Sequence, residues 1–212
     1  MRVTVFGATG KVGRLIVDRL LADGHQVVAF ARNPAKLHRV GPNLTVVAGE
    51  LSDTAAVTQA VTGSDAVISA LGPSLKRSMP AGPLTAGTRT IVAAMDAAGV
   101  NRFIGLATPS LADPRDARHW KHTVLPFMAR LAFPNALIEL QGMTGTVTDS
   151  GLDYTIARIT NPTDKPATGR IRAGFLGHDT IGSAMSRADI AAFLTGQLTD
   201  TRYSRSMPAI SN

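Results

Sequence analysis

Short apolar runs rich in β-branched residues alternate with longer amphipathic runs along this chain. RVTVF (2–6) is an apolar run closed by glycine, which predicts a buried strand. KVGRLIVDRLLADG (11–24) places Val12, Leu15, Ile16, Arg19 and Leu20 at helical spacing, and Gly24 suits a C-terminal cap. HQVVAFAR (25–32) reads as a second strand. The unit spans the ~30 residues that a right-handed parallel crossover needs. The rhythm then repeats. LTVVAG (44–49) predicts a strand, and SDTAAVTQAVTG (52–63) a helix capped by Ser52 or Asp53 and stopped by Gly63. DAVISAL (65–71) reads as a strand, 83–100 as a helix and RFIGLAT (102–108) as a fifth strand.

Past residue 110 the pattern loosens. Residues 113–151 predict two helical stretches interrupted near Pro126 and Pro134, followed by a sixth strand, LDYTIARI (152–159). The Pro/Gly-rich segment 161–177 predicts a loop with a short strand around Arg170–Ala173. SRADIAAFLTGQL (186–198) predicts a closing helix capped by Ser186. Strands alternating with helices imply an α/β protein with a doubly wound parallel sheet. No linker, repeat or low-complexity tract divides residues 1–212, so one domain with a small C-terminal substrate region is expected.

Composition narrows the function. Of 212 residues, 44% are hydrophobic, enough for a core, and none is cysteine. Disulfides, thiolate nucleophiles and cysteine-based zinc sites are thereby excluded. No secretory pattern opens MRVTVFGATG, and no apolar run reaches membrane-spanning length, so a cytoplasmic protein is expected. The net charge is +7, yet the basic residues are scattered, and two tyrosines and one tryptophan give little for base stacking. An anionic small ligand fits this charge better than nucleic acid does.

GATGKVG (7–13) supplies the place for that anion. It has the form G-x-x-G-x-x-G between a strand and a helix. Gly7 permits the tight exit from the strand, Gly10 a close backbone approach to a pyrophosphate, and Gly13 close helix–strand packing. The helix start at Lys11 and Val12 offers open N–H groups, and Thr9 adds a hydroxyl. An NAD site expects a carboxylate at the end of the second strand. AFARNP has Arg32 there instead, with Asn33 and Lys36 nearby, so NADP(H), clamped at its 2′-phosphate, is the expected cofactor. Glu50 and Leu51 after the third strand are placed to flank the adenine, and Ala70, Leu71 and Gly72 after the fourth to run past the ribose and pyrophosphate.

Taken together, GATGKVG, AGELSD, DAVISALG, GTRTIVAAMDAAGVNRFI and SGLDYTIARI, in this order and spacing, resemble the atypical short-chain dehydrogenase/reductase families, and among them the NADPH-dependent biliverdin-IXβ/flavin reductase group. The resemblance implies a Rossmann fold and hydride transfer from NADPH to a planar acceptor. Carried over by position, it sets Leu106, Ala107 and Thr108 before the nicotinamide, and Ile159 and Thr160 along its edge. Thr108 stands where that group has a serine, and Asn161 where it has a histidine. The Tyr-x-x-x-Lys pair of ordinary short-chain dehydrogenases is missing: Ala117 stands four residues before Lys121, and the tyrosines are Tyr154 and Tyr203.

The remaining chemistry is modest in its demands. A flavin, quinone or tetrapyrrole takes hydride into a delocalised system and its later proton from water, so alignment matters more than an acid. The candidates for contact with the acceptor are Thr108, Ser110 and Asn161. The two hydroxyls serve equally well to satisfy a local turn. His119 and His122 read as surface or substrate-loop residues rather than metal ligands. Trp120 either packs under the loop or stacks on the acceptor. Segments 109–125 and 161–180 are expected to bound the acceptor pocket. A non-catalytic NADP(H)-binding redox sensor is the alternative reading, and a sugar-nucleotide epimerase fits least.

Overall fold

The computed structural model describes residues 1–37, 39–76, 80–117 and 131–212. In chain order it begins with β1 (Arg2–Phe6), α1 (Lys11–Ala22), β2 (Gln26–Ala31), a 3-10 turn (Pro34–Lys36), β3 (Leu44–Ala48), α2 (Thr54–Val61) and β4 (Ala66–Ser69). There follow α3 (Pro83–Ala98), β5 (Arg102–Ala107), α4 (Pro134–Thr148) and β6 (Asp153–Ile159). The chain closes with β7 (Pro162–Thr163), β8 (Arg172–Gly174), β9 (Met185–Ser186), α5 (Arg187–Gly196) and β10 (Ala209–Ser211).

Among the described residues, eight strands form one sheet in the order β3-β2-β1-β4-β5-β6-β10-β8, while β7 and β9 pair separately. In the large sheet, the ladders are parallel except that of β8 with β10. Successive strand residues point to opposite faces, and both faces are covered. Val3, Val5, Val27, Ala29 and Ile68 join the core under α1 and α5. Phe6, Val28, Phe30 and Val67 join the other, under α2, α3 and α4. Each fully buried Val, Ile or Leu contributes about 1.5–3 kcal/mol. The fold is the doubly wound α/β sheet expected from the sequence.

The helix ends follow the sequence reading. The cap of α2 is Asp53, whose carboxylate accepts from Ala56 N–H at 3.0 Å. Ser186 caps α5 as expected, accepting from Asp189 N–H at 3.0 Å. Gly24 and Gly63 do close their helices, at φ +80° and +73°. The sequence reading stopped short of β10, a three-residue strand slotted between β6 and β8. Three residues carry no periodicity, so only the waiting edge of β6 defines them. The second helical stretch expected in 113–151 is α4; the first, with His119, Trp120, Lys121, His122 and Pro126, falls mostly outside the described residues.

Among the described residues no helix is long and apolar enough to cross a membrane.

Candidate functional site

The parallel strands β1 to β6 end on one edge of the sheet, and their order reverses between β1 and β4. A crevice opens at such a switch point. The turn after β1 lies in it. Gly7 adopts φ +75°, and a Cβ there would stand 2.9 Å from the carbonyl carbon of Ala70 at the exit of β4. Gly13 is tighter still: its Cβ would come within 2.1 Å of the Gly7 carbonyl oxygen. These two glycines let the first turn of α1 sit against the strand exits. Gly10 is exposed, and its N–H donates to the Gly7 carbonyl at 2.9 Å.

The helix ends around this crevice are treated differently. At α1 the N-cap is Gly10; among the described residues no side chain caps it, and no acid stands in the first turn. The first N–H groups therefore stand open to an anion. The N-cap of α3 is Gly82, held at φ +123°. Its capping group comes from another helix: Glu139 on α4 accepts from Gly82 N–H at 2.5 Å, Leu84 N–H at 3.1 Å, Thr85 N–H at 2.8 Å and the Thr85 hydroxyl at 2.8 Å. Burial works to raise the Glu139 carboxyl, but the Thr85 hydroxyl and the three N–H donors outweigh it and hold the pKa below the ordinary value. One positive helix end is already neutralised; the end facing the glycine turn is not.

The cleft measures about 610 Å³. Of the residues singled out from the sequence, Gly7, Thr9, Gly10, Arg32, Glu50, Leu51, Ala70, Leu71 and Gly72 line it together. Arg32 is exposed and, among the described residues, enters no ion pair. Asn33 is engaged in the 3-10 turn, where its side chain accepts from Ala35 N–H at 3.1 Å. Gly13 is buried behind the turn and Val12 is half-buried. Lys11 is turned toward Asp164, at 2.8 Å, with Arg187 holding the other carboxylate oxygen at 2.6 Å.

The opposite wall went unrecognised in the sequence. Pro83, Leu84, Gly87 and Thr90 of α3, with Ala136 and Glu139 of α4, complete the cleft. A signal existed for one of them: Glu139 is the lone charge in the otherwise uncharged stretch NALIELQGM. The rest are small or apolar residues indistinguishable from helix packing.

The candidates on β5 and β6 gather at the same sheet edge but outside that lining. Ala107 pairs with Arg158, so Thr108, the first residue past β5, comes beside Ile159 at the end of β6. Ala107 is buried, Leu106 and Ile159 half-buried, and Thr160 and Asn161 exposed. Thr108 and Ser110 bring their hydroxyl oxygens within 2.5 Å of each other. The carbonyl of Asn161 accepts from Met185 N–H at 3.1 Å, which holds the strand pair β7–β9 against it.

The expected acceptor segments are fastened to each other by a buried carboxylate. Asp116 accepts from both Arg158 Nη1 and Nη2, at 2.5 and 2.7 Å, and from Leu176 N–H at 2.8 Å. Burial pushes the Asp116 carboxyl up, while the Arg158 guanidinium and the N–H groups of Asp113 and Leu176 pull it below its ordinary value, and the donors prevail. No group of three or more metal-binding side chains occurs among the described residues.

Comparison with known proteins bears on this geometry. The family described as NAD(P)H-binding matches residues 7–201. The (4-alkanoyl-5-oxo-2,5-dihydrofuran-3-yl)methyl phosphate reductase of Streptomyces griseus is 31% identical over 99% of the chain, which spans 67% of that protein. The 3-beta-hydroxysteroid dehydrogenase of Mycolicibacterium neoaurum is 35% identical over 52% of the chain, and the match takes in only 32% of that protein's length. Among solved structures, ChuY, an anaerobillin reductase of Escherichia coli O157:H7, superposes with a TM-score of 0.77 at 22% identity, covering 100% of this chain and 97% of its own. A short-chain dehydrogenase/reductase of Veillonella parvula, solved in complex with NADP, gives 0.77 at 17% identity, covering 100% and 94%. At these identities the superpositions show a shared fold.

Proposed function

The chain belongs to the NAD(P)H-binding family, and from that premise we propose that it is an atypical short-chain dehydrogenase/reductase, an NADPH-dependent reductase of a small planar acceptor such as a flavin, quinone or tetrapyrrole. The observation that carries the reading is the start of α1 behind Gly7, Gly10 and Gly13, uncapped among the described residues and set in one cleft with Arg32, which enters no ion pair among them. A dinucleotide fits this arrangement on its own terms: any Cβ at Gly7 or Gly13 would collide with backbone, and the open N–H groups of α1 face the cleft.

In this reading the first turn of α1 and Thr9 hold the pyrophosphate. Arg32 supplies a guanidinium to the 2′-phosphate where a carboxylate would repel it. Leu51 and Glu50 flank the adenine; Ala70, Leu71 and Gly72 follow the ribose. Leu106, Ala107, Ile159 and Thr160 border the nicotinamide. Once bound, the reduced nicotinamide supplies hydride. The paired hydroxyls of Thr108 and Ser110 orient the acceptor carbonyl, and Asn161 offers an amide beside them. None of the three exchanges a proton at neutral pH, which suits acceptors that draw the later proton from water. Reductases among the relatives, the furan phosphate reductase above all, support this class of chemistry.

The test is steady-state oxidation of NADPH against flavins, quinones and tetrapyrroles, with NADH as control. Turnover that falls in a Thr108→Ala, Asn161→Ala double variant supports the reductase. Tight NADPH binding without turnover across the panel replaces it with the redox-sensor reading.

A further inference from the structure

Where the turn after β3 meets α3, close packing sets the wall of the cleft. Leu51, in the turn after β3, rests in a notch on α3 that exists because residue 87 is glycine. A Cβ on Gly87 would stand 2.6 Å from both the Cβ and the Cδ1 of Leu51 and 3.1 Å from its Cγ. Both residues line the cleft, and Leu51 packs on into the core between α2 and α3. A clash with Cδ1 alone is relieved by a rotamer change. A clash with Cβ is not, because Cβ moves only with its backbone. A side chain at 87 must therefore shift the turn that carries Glu50, Leu51 and Ser52, all three of them cleft residues. A second notch lies beside it. Gly49 leaves room for Phe30, whose ring carbon would stand 3.1 Å from a Cβ at position 49. Phe30 lines the same end of the cleft.

We infer that Gly87 and Leu51 form a specificity-determining pair that fixes how large a base the cofactor carries. Leu51 is held back by the absent side chain at 87, and its own side chain sets the inner limit of the base pocket. This rests on the dinucleotide reading above and adds the residue that gauges the base. It separates two directions of change. Gly87→Ala drives the turn toward the ligand and shrinks the pocket. Leu51→Ala removes three carbons and enlarges it.

Binding of three ligands tests this: NADPH, adenosine 2′,5′-bisphosphate and the etheno-adenine analogue of NADP, whose base carries an extra fused ring. Overpacking at Gly87→Ala weakens NADPH about tenfold or more, and the adenosine bisphosphate by the same factor, since the damage lies at the base end. For Leu51→Ala, the affinity of the etheno analogue relative to NADPH rises roughly fivefold over that of wild type. Circular dichroism establishes that each variant is folded, and Leu51→Ala serves alone if Gly87→Ala is not. Unchanged NADPH affinity in a folded Gly87→Ala, a loss for NADPH that the adenosine bisphosphate does not share, or an unchanged base preference in Leu51→Ala overturns the pair's role. A wild-type protein that binds no pyridine nucleotide overturns the dinucleotide reading itself, which the variants do not probe.

Discussion

Arg158 and Asp116 form a buried two-pronged ion pair, with the guanidinium wholly shielded and the carboxylate side chain nearly so. Arg158 Nη1 also donates to the Leu111 carbonyl at 3.0 Å, so β6 grips the loop that leaves β5. Leu176 N–H donates to the same carboxylate. One pair thus joins three segments behind Thr108 and Ser110.

Removing one partner should cost far more than the pair is worth. Asp116→Asn leaves a buried guanidinium without a counter-charge, and a loss of about 3–5 kcal/mol is expected. The pair is not ideal, because Arg158 Nε lacks a hydrogen-bond partner among the described residues. An apolar Asp116→Leu, Arg158→Met double variant should recover only part of that loss, because it removes the uncompensated charge but leaves the Leu111 carbonyl and the Asp113 and Leu176 N–H groups without these partners. Urea unfolding of the three proteins measures it. A single variant as stable as wild type would show the pair to be idle.

Glu139 anchors the α3 wall of the cleft. Glu139→Ala strips a capping group from Gly82, Leu84 and Thr85, and about 1–2 kcal/mol of stability should go with it. Leu84 and Pro83 line the cleft, so NADPH affinity should fall as well. Glu139→Gln keeps one acceptor oxygen and should lie between. Urea unfolding and fluorescence titration with NADPH check both halves; stability lost with affinity intact would confine Glu139 to the fold.

Acid should loosen the protein through the same kind of group. Asp116, Glu139 and Asp189 all lie below their ordinary pKa when folded, each because hydrogen-bond donors outweigh the effect of burial. A folded pKa below the unfolded one means stability that is complete above the unfolded value and lost as pH falls through the folded one. The ordinary values are 3.8 for Asp and 4.5 for Glu. The thermal midpoint should therefore owe nothing to these groups' titration above about pH 6 and should drop progressively below about pH 4. Asp189 is the informative one: it accepts from Thr168 and Gly169 N–H and the Ser186 hydroxyl. Asp189→Asn should flatten the acid limb, and an unchanged limb would count against this origin.

The turn after β1 allows no side chain at its third glycine. Gly13→Ala puts a methyl carbon 2.1 Å from a backbone oxygen, which no rotamer can relieve. The variant should unfold at lower urea than wild type and bind NADPH weakly. A Gly24→Ala control has open space around it and suffers only the cost of its positive φ, about 1 kcal/mol. Equal stability of the two variants would contradict the packing role of Gly13.

How much of this was written in the chain depends on distance along it. The glycine turn and Arg32 sit within one strand–helix–strand unit, where spacing alone fixes geometry, and both were legible. The parallel, doubly wound sheet followed from the alternation of β-branched and amphipathic runs, whereas the strand order and the insertion of β10 emerge only in the fold. Glu139 caps a helix that begins more than fifty residues earlier, and no local pattern records that. Gly87 is, within its own stretch, an ordinary glycine in an alanine-rich helix, and only the fold sets Leu51 against it. The Arg158–Asp116 pair was hidden for the same reason: each residue is ordinary in its own stretch, and only the fold brings the two together.

Arg32 provides the sharpest test of cofactor choice. It stands at the end of β2, exposed, lining the cleft and free of ion pairs among the described residues. A charge-assisted hydrogen bond to a 2′-phosphate is worth roughly 1.5–3 kcal/mol, and each ~1.4 kcal/mol is tenfold in affinity. Arg32→Ala should therefore weaken NADPH about tenfold or more while NADH, lacking that phosphate, barely changes. Arg32→Asp goes further, because a carboxylate repels the 2′-phosphate and accepts hydrogen bonds from a free ribose hydroxyl. Its preference should shift toward NADH. Parallel calorimetric titrations of both nucleotides decide the matter, and equal losses for the two in Arg32→Ala would remove the arginine from the phosphate site.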